Sequence, residues 1–159
     1  MNRFVAIVAA ALLLVAPLRA QQFSSPTDLL DTVYEAYLSS GGITNLKPYF
    51  SDRLTEEMGE ARLSPEIMEK IGVDPLVGAQ GANITLLHMA DEGSDDDRAT
   101  VNVSFNNRQR PVQLTFGLVN EPVNGWQIDH LEGRSGAVEW CSRSIVEASN
   151  VSGNAAPKP

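Results

Sequence analysis

The chain has 159 residues, of which 43% are hydrophobic and 20% are charged, and its formal charge is −8. This length suits one domain with its own hydrophobic core. The composition excludes collagen, a coiled coil and full disorder. A nucleic-acid-binding protein is disfavoured because 12 Lys and Arg stand against 20 Asp and Glu and form no basic cluster that could contact phosphates.

The first 20 residues resemble a secretory signal peptide. Arg3 precedes an apolar run over Phe4–Leu18, and Ala20 is a small residue that suits cleavage. This run of 15 residues is shorter than the roughly 20 apolar residues that a membrane span needs, so an uncleaved anchor is the weaker alternative. No Cys follows the run to carry a lipid. We therefore expect a periplasmic or secreted protein, cleaved near Ala20, with no stable membrane anchor after cleavage.

Cleavage would leave 10 basic and 20 acidic residues, a balance that disfavours an anionic membrane surface as a partner. Cys141 is the single cysteine of the sequence and cannot form a disulfide within its own chain. Three states stay open for its thiol: burial among apolar groups, a disulfide to a second copy in a homodimer, or a reactive group.

Three helices are predicted before the middle of the chain. Ser25 can cap the first helix and Pro26 suits its first turn. Gly41 would end it, and its apolar residues recur at helical spacing: Leu30, Val33, Tyr34, Tyr37 and Leu38. The other two helices are expected over residues 52–62 and 64–72.

A Pro- and Gly-rich loop over residues 73–81 separates these helices from a β region. Alternating apolar and polar residues predict four strands, over residues 83–90, 99–108, 112–120 and 126–131. A short C-terminal helix is predicted from Val138 to Ala148, followed by a disordered tail over residues 153–159. The expected fold class is therefore α+β, a single domain over residues 21–152 with N-terminal helices packed on a curved antiparallel four-stranded sheet.

Part of this chain, residues 25–149, resembles a bacterial family of exported proteins and lipoproteins that is known as a domain of unknown function. The resemblance rests on three short motifs: Asp74-Pro75-Leu76, Ala79-Gln80 and Gly125-Trp126-Gln127-Ile128-Asp129. The family often has an acidic residue after the Ala-Gln pair, where this chain has Gly81. It is similar in turn to the nuclear transport factor 2-like superfamily, which implies a cystatin-like cone with ligands between the helices and the concave face of the sheet. That superfamily contains isomerases, dehydratases and non-catalytic adaptors, so the fold leaves the function open.

A set of side chains is predicted to line such a cavity or its mouth. Tyr34 and Tyr37 lie on the apolar stripe of the first helix, and Trp126 and His130 share one side of the last predicted strand. Asp74 and Gln80 would lie at the rim. The alternative for the tyrosines is core packing, and the alternative for Asp74 is a turn in which its carboxylate bonds to the following backbone.

The two histidines are the candidates for catalysis. His130 shares strand parity with Trp126, and His88 shares it with Ile84, so both could point into the cone as a general acid or base. A structural role is the alternative for each. They do not suit a metal pair, because the first and last strands of a four-stranded meander lie about 14 Å apart. The sequence contains no phosphate-binding loop, nucleophile elbow or zinc motif, and we predict no cofactor and no metal.

The sequence thus favours a non-enzymatic exported module that binds a small apolar ligand or a periplasmic protein partner. The alternative is a small cofactor-free enzyme of isomerase or hydrolyase type with His130 or His88 as its base. A homodimer formed through the convex face of the sheet is a further possibility, and no nucleic-acid partner is expected.

Overall fold

Antiparallel strands dominate the described part of the chain. The computed structural model describes residues 23–40, 47–58, 69, 72–143 and 147. Two α-helices come first, α1 (Pro26–Ser40) and α2 (Asp52–Met58), with a 3-10 turn at Lys47–Tyr49 between them. Five strands follow: β1 (Ile84–Ser94), β2 (Arg98–Asn107), β3 (Arg110–Glu121), β4 (Gly125–Ser135) and β5 (Val138–Cys141). Each strand pairs with its neighbour in the chain, so the sheet is a meander.

Both helices begin at serine caps. The Asp28 amide donates to Ser25 Oγ at 3.1 Å, which confirms the predicted start of α1. At α2 the Leu54 amide donates to Ser51 Oγ at 3.1 Å, and the predicted start at Asp52 is also confirmed. The rest of the second predicted helix and nearly all of the third lie outside the described residues, as do the predicted signal peptide and the predicted C-terminal tail. No described helix has the length and apolarity that crossing a membrane would require.

Helix α1 covers one face of the sheet. Tyr34 is fully buried, with its ring at 5.6 Å from that of Phe105 and 6.4 Å from that of Phe116 in edge-on contacts. The other buried residues of α1 include Leu29, Leu30, Val33 and Tyr37, whereas Leu38, expected on the apolar stripe, is exposed. The inner face of the sheet, the one that faces α1, is therefore filled by packed side chains that stabilise the fold through apolar burial.

The predicted fold class is wrong. In place of N-terminal helices on a four-stranded sheet, the described residues form a sheet-dominated fold of five strands preceded by two short helices. The first four residues of the predicted C-terminal helix instead form β5, because Gly136 at φ 62° allows a tight turn and Trp140 then packs on the inner face. Of the rest of that predicted helix, Ser142, Arg143 and Glu147 are helical and the other residues lie outside the described part of the chain. Val138 and Cys141 match a helical spacing, but tertiary pairing with β4 decides their conformation.

Three register shifts interrupt the strand pairing, and two of them set which side chains face α1; the third lies between Asp91 and Gly93, near the end of β1. In β1, Thr85 pairs with Asn106 and His88 with Ser104, so two residues of β1 oppose Phe105. In β4, His130 pairs with Gly117 and Ile128 with Leu118, so Asp129 is the extra residue. Because side chains alternate along a strand, each extra residue moves all later side chains to the opposite face.

Candidate functional site

Three of the predicted cavity residues meet in one buried cluster. The Tyr37 hydroxyl donates to both oxygens of Asp74, at 3.0 and 3.3 Å, and the Tyr34 hydroxyl donates to the Leu76 carbonyl at 3.1 Å. Burial raises the pKa of Asp74, although the Leu76 amide and the Tyr37 hydroxyl both favour its ionised form. Burial, reinforced by the nearby Asp74 carboxylate, also raises the pKa of Tyr37.

This cluster anchors the turn over residues 74–79. Asp74 accepts the Leu76 amide at 3.0 Å, and the Trp140 indole nitrogen donates to the Pro75 carbonyl at 2.9 Å. The turn needs Gly78, at φ 65°, because a Cβ there would lie 2.9 Å from the Trp140 ring. Asp74 therefore makes the contacts that its alternative interpretation, a turn-forming residue, requires.

The other predicted cavity residues lie apart from this cluster. Gln80 is exposed beyond the turn, and Trp126 is buried at the start of β4, where its amide donates to the Phe23 carbonyl at 3.3 Å. The structure thus brings together Tyr34, Tyr37 and Asp74 but not the rest of the predicted set. Whether any of these residues binds a ligand stays a prediction.

The expected inward orientation of the histidines is wrong for both. The bulge in β1 turns His88 away from α1, and the bulge at Asp129 does the same to His130. The His130 side chain is 49% exposed, and its Nδ1 lies 2.8 Å from Ser142 Oγ. Gly117 leaves room for it, since a Cβ at that position would lie 3.1 Å from the His130 Cβ. Neither histidine can therefore act as a general base inside the fold, which is the role that the enzyme hypothesis requires.

The outer face of the sheet, which points away from α1, carries two rows of mostly polar side chains that cross the strands. The pairing registers of the strands define both rows. The first row consists of His88, Ser104, Gln113, Arg134 and Glu139. The second row consists of Ala90, Asn102, Thr115, Glu132 and Cys141.

A groove of about 760 Å³ lies on this outer face. The two rows supply most of its lining: Asn102, Ser104, Gln113, Thr115, Glu132, Arg134, Glu139 and Cys141. We call it the outer groove. Its volume is in the range of small-molecule sites, which is roughly 300–1,000 Å³.

Hydrogen bonds within the outer groove hold some of its side chains in place. Thr115 Oγ1 donates to Asn102 Oδ1 at 2.9 Å, and Arg134 Nε donates to Gln113 Oε1 at 2.7 Å. The Arg134 terminal nitrogen contacts the same oxygen. The charged groups that line the groove are two carboxylates, Glu132 and Glu139, and the guanidinium of Arg134. The described residues contain no cluster of His, Cys, Asp and Glu that could hold a metal ion.

Sequence reasoning missed the outer groove. The alternation of Asn102, Ser104 and Asn106 with Val101, Val103 and Phe105 predicts a polar face correctly, but an exposed flat face and a concave one have the same pattern. The pairing of β5, which adds Glu139 and Cys141 to the rows, was also absent from the predicted fold.

No protein-family model matches the chain, and no curated protein matches it either. One solved structure is similar: a phospholipid-binding protein from Ralstonia solanacearum in complex with a phospholipid, with 19% identity over 76% of this chain and 73% of that chain. Its TM-score is 0.34, a level at which the likeness carries no argument about the fold or the ligand of this chain.

Proposed function

We propose that this chain is a non-enzymatic binding protein, exported from the cell, whose ligand lies in the outer groove. The observation that carries the proposal is the pair of polar rows lining a groove of about 760 Å³. Hydroxyl, amide, carboxylate and guanidinium groups share that surface and point away from the core. Such groups supply the directed hydrogen bonds that orient a small ligand in its site.

The inner face supports a ligand less well. Tyr34, Leu76, Phe116 and Ile128 are fully buried there by contacts with one another and with their neighbours. A small apolar ligand between α1 and the sheet, as the sequence favours, would have to displace these side chains and lose their packing. A protein partner in place of a small ligand stays open as a prediction, and so does a homodimer.

The proposal can be tested by native mass spectrometry on the protein purified from the exported fraction of its own host. We expect a bound mass of a few hundred daltons, consistent with a site of this size. The mass of the polypeptide itself reports the cleavage site, and loss of the first 20 residues would support the predicted export.

A matched pair of variants tests whether the bound molecule lies in the outer groove. Ser104→Trp puts a large ring into the groove and should remove the mass. Asn106→Trp puts the same ring on the same face of β2 but outside the groove lining, and should retain it. A bare protein in every preparation would contradict the proposal, and so would a bound mass that survives Ser104→Trp.

A further inference from the structure

We infer that the ligand of the outer groove carries a positively charged nitrogen among hydroxyl groups, and that Glu132 and Glu139 hold this nitrogen. The inference rests on the proposed function. It follows from the charges at the β4–β5 end of the groove, from the contacts that leave these charges uncompensated, and from the polar rows that lead away from them.

Glu132 is held beside an ordered imidazole that compensates it weakly. The hydrogen bond to Ser142, whose exposure is 5%, orients the His130 ring. His130 Nε2 then lies 3.9 Å from Glu132 Oε2, beyond hydrogen-bond distance. The Glu132 side chain is 59% exposed and both its oxygens can still accept hydrogen bonds.

Glu139 also keeps its charge available. It lies directly opposite Arg134 across the β4–β5 pair, where an ion pair would be expected. The Arg134 guanidinium instead donates from two nitrogens to Gln113 Oε1, on β3. The ion pairs within the described part of the chain do not include one between Arg134 and Glu139.

The two carboxylates are neighbours on the outer face. Glu132 pairs with Cys141 and Arg134 with Glu139, so the two glutamates occupy diagonal positions on adjacent strands. Side chains at diagonal positions lie about 7–8 Å apart at the backbone and can reach one group between them. The lining carries two carboxylates against one guanidinium, that of Arg134, which is bonded to Gln113 on the side of β3. The net charge at this end of the groove is therefore negative and favours a cation.

The remainder of the groove suits hydroxyl groups. Asn102, Ser104 and Thr115 present amide and hydroxyl groups along the two rows toward β2. These groups can both donate to and accept from a sugar hydroxyl. The combination of a cationic nitrogen at one end and hydroxyls along the rest is the chemistry of an amino sugar, and the groove volume suits a small saccharide better than a protein surface.

The test compares two probes that differ in charge at the same nitrogens: the β-1,4-linked disaccharide of glucosamine and its fully N-acetylated form. Both are titrated into the full chain while amide chemical shifts are recorded by NMR. We expect the amine form to shift resonances of residues 102–104, 113–115, 132–134 and 139–141, and the acetylated form to bind at least tenfold more weakly.

Variants then test the assigned residues. Glu132→Gln and Glu139→Gln should each weaken binding of the amine form by about tenfold, since each removes a charge-assisted contact. Glu92→Gln makes the same change at an exposed position of β1 outside the groove and should leave binding unchanged. Equal binding of both probes, unaffected by either groove variant, would overturn the cation inference and leave the proposed function standing. Failure of both probes to shift groove resonances would overturn it too, while a ligand copurified by the protein would still uphold the proposed function.

Discussion

Asp74 is a half-buried carboxylate that joins α1 to the turn over residues 74–79. Its pKa is raised by burial, so the folded protein holds a proton on this group more tightly than the unfolded chain does. The stabilising contribution of Asp74 is therefore fully present below the unfolded pKa of 3.8 and is lost as the pH rises through the folded-state pKa. Unlike a carboxylate in a salt bridge, Asp74 therefore favours folding more at low pH than at neutral pH.

Asp74→Asn should make the free energy of unfolding less dependent on pH. An amide oxygen can still accept from the Leu76 amide, but the variant has no proton to gain as the pH falls. Urea denaturation from pH 4 to pH 7 should show a smaller loss of stability with rising pH than in the parent protein. Asp31→Asn, an exposed change on α1, serves as the control and should retain the slope of the parent.

Trp140→Phe should destabilise the protein by about 1–3 kcal/mol, because it removes the indole donor and leaves the buried Pro75 carbonyl without its hydrogen bond. Trp126→Phe is the matched control, since the described residues provide no hydrogen-bond partner for its indole nitrogen. Thermal and urea unfolding of both variants measure the difference. Equal losses of stability in the two variants would show that the bond to Pro75 contributes nothing.

At the scale of elements, the bulges in β1 and β4 reverse the faces of the two predicted histidines. The first four strands could be predicted because alternation is strong in residues such as Val101, Val103 and Phe105. An extra residue in a strand leaves no comparable signal. Asp129 is an ordinary polar residue in the sequence, and its identity as the bulge depends on how β3 and β4 pair.

The bulged Asp129 also holds α2 against the sheet. Burial acts to raise its pKa, but hydrogen bonds from Arg53 Nε at 2.9 Å and Ser51 Oγ at 2.6 Å outweigh this and lower it. Because Ser51 also caps α2, one hydroxyl connects the start of the helix to the bulge.

Ser51→Ala should cost about 1–2 kcal/mol, because the fully buried hydroxyl is both cap and donor. Amide hydrogen exchange should accelerate over residues 52–58 more than in the rest of the chain, since the loss is local. Ser39→Ala, an exposed change on α1, should alter neither measurement appreciably. Unchanged exchange in α2 after Ser51→Ala would show that other contacts hold the helix.

At the scale of the whole molecule, the sheet has one face closed by packing and one face open. The sequence predicts the closed face well, because the stripe of α1 and the apolar positions of β2 and β3 are readable as periodic patterns. The open face combines residues from four strands, including β5, and its shape depends on how these strands bend together. The candidate site could not be predicted for that reason. Its residues on β2 and β3 were correctly placed on a polar face, but Glu132 and Arg134 lie beyond the predicted fourth strand, and Glu139 and Cys141 lie in the predicted helix.

The location of a bound ligand tests this account most directly. Amide NMR spectra of the protein purified from its own host can be compared before and after the ligand is removed by unfolding and refolding. The outer-groove account predicts that the changes fall on residues 102–104, 113–115, 132–134 and 139–141. Changes concentrated instead on Tyr34, Tyr37 and Trp126 would place the ligand on the inner face and contradict it.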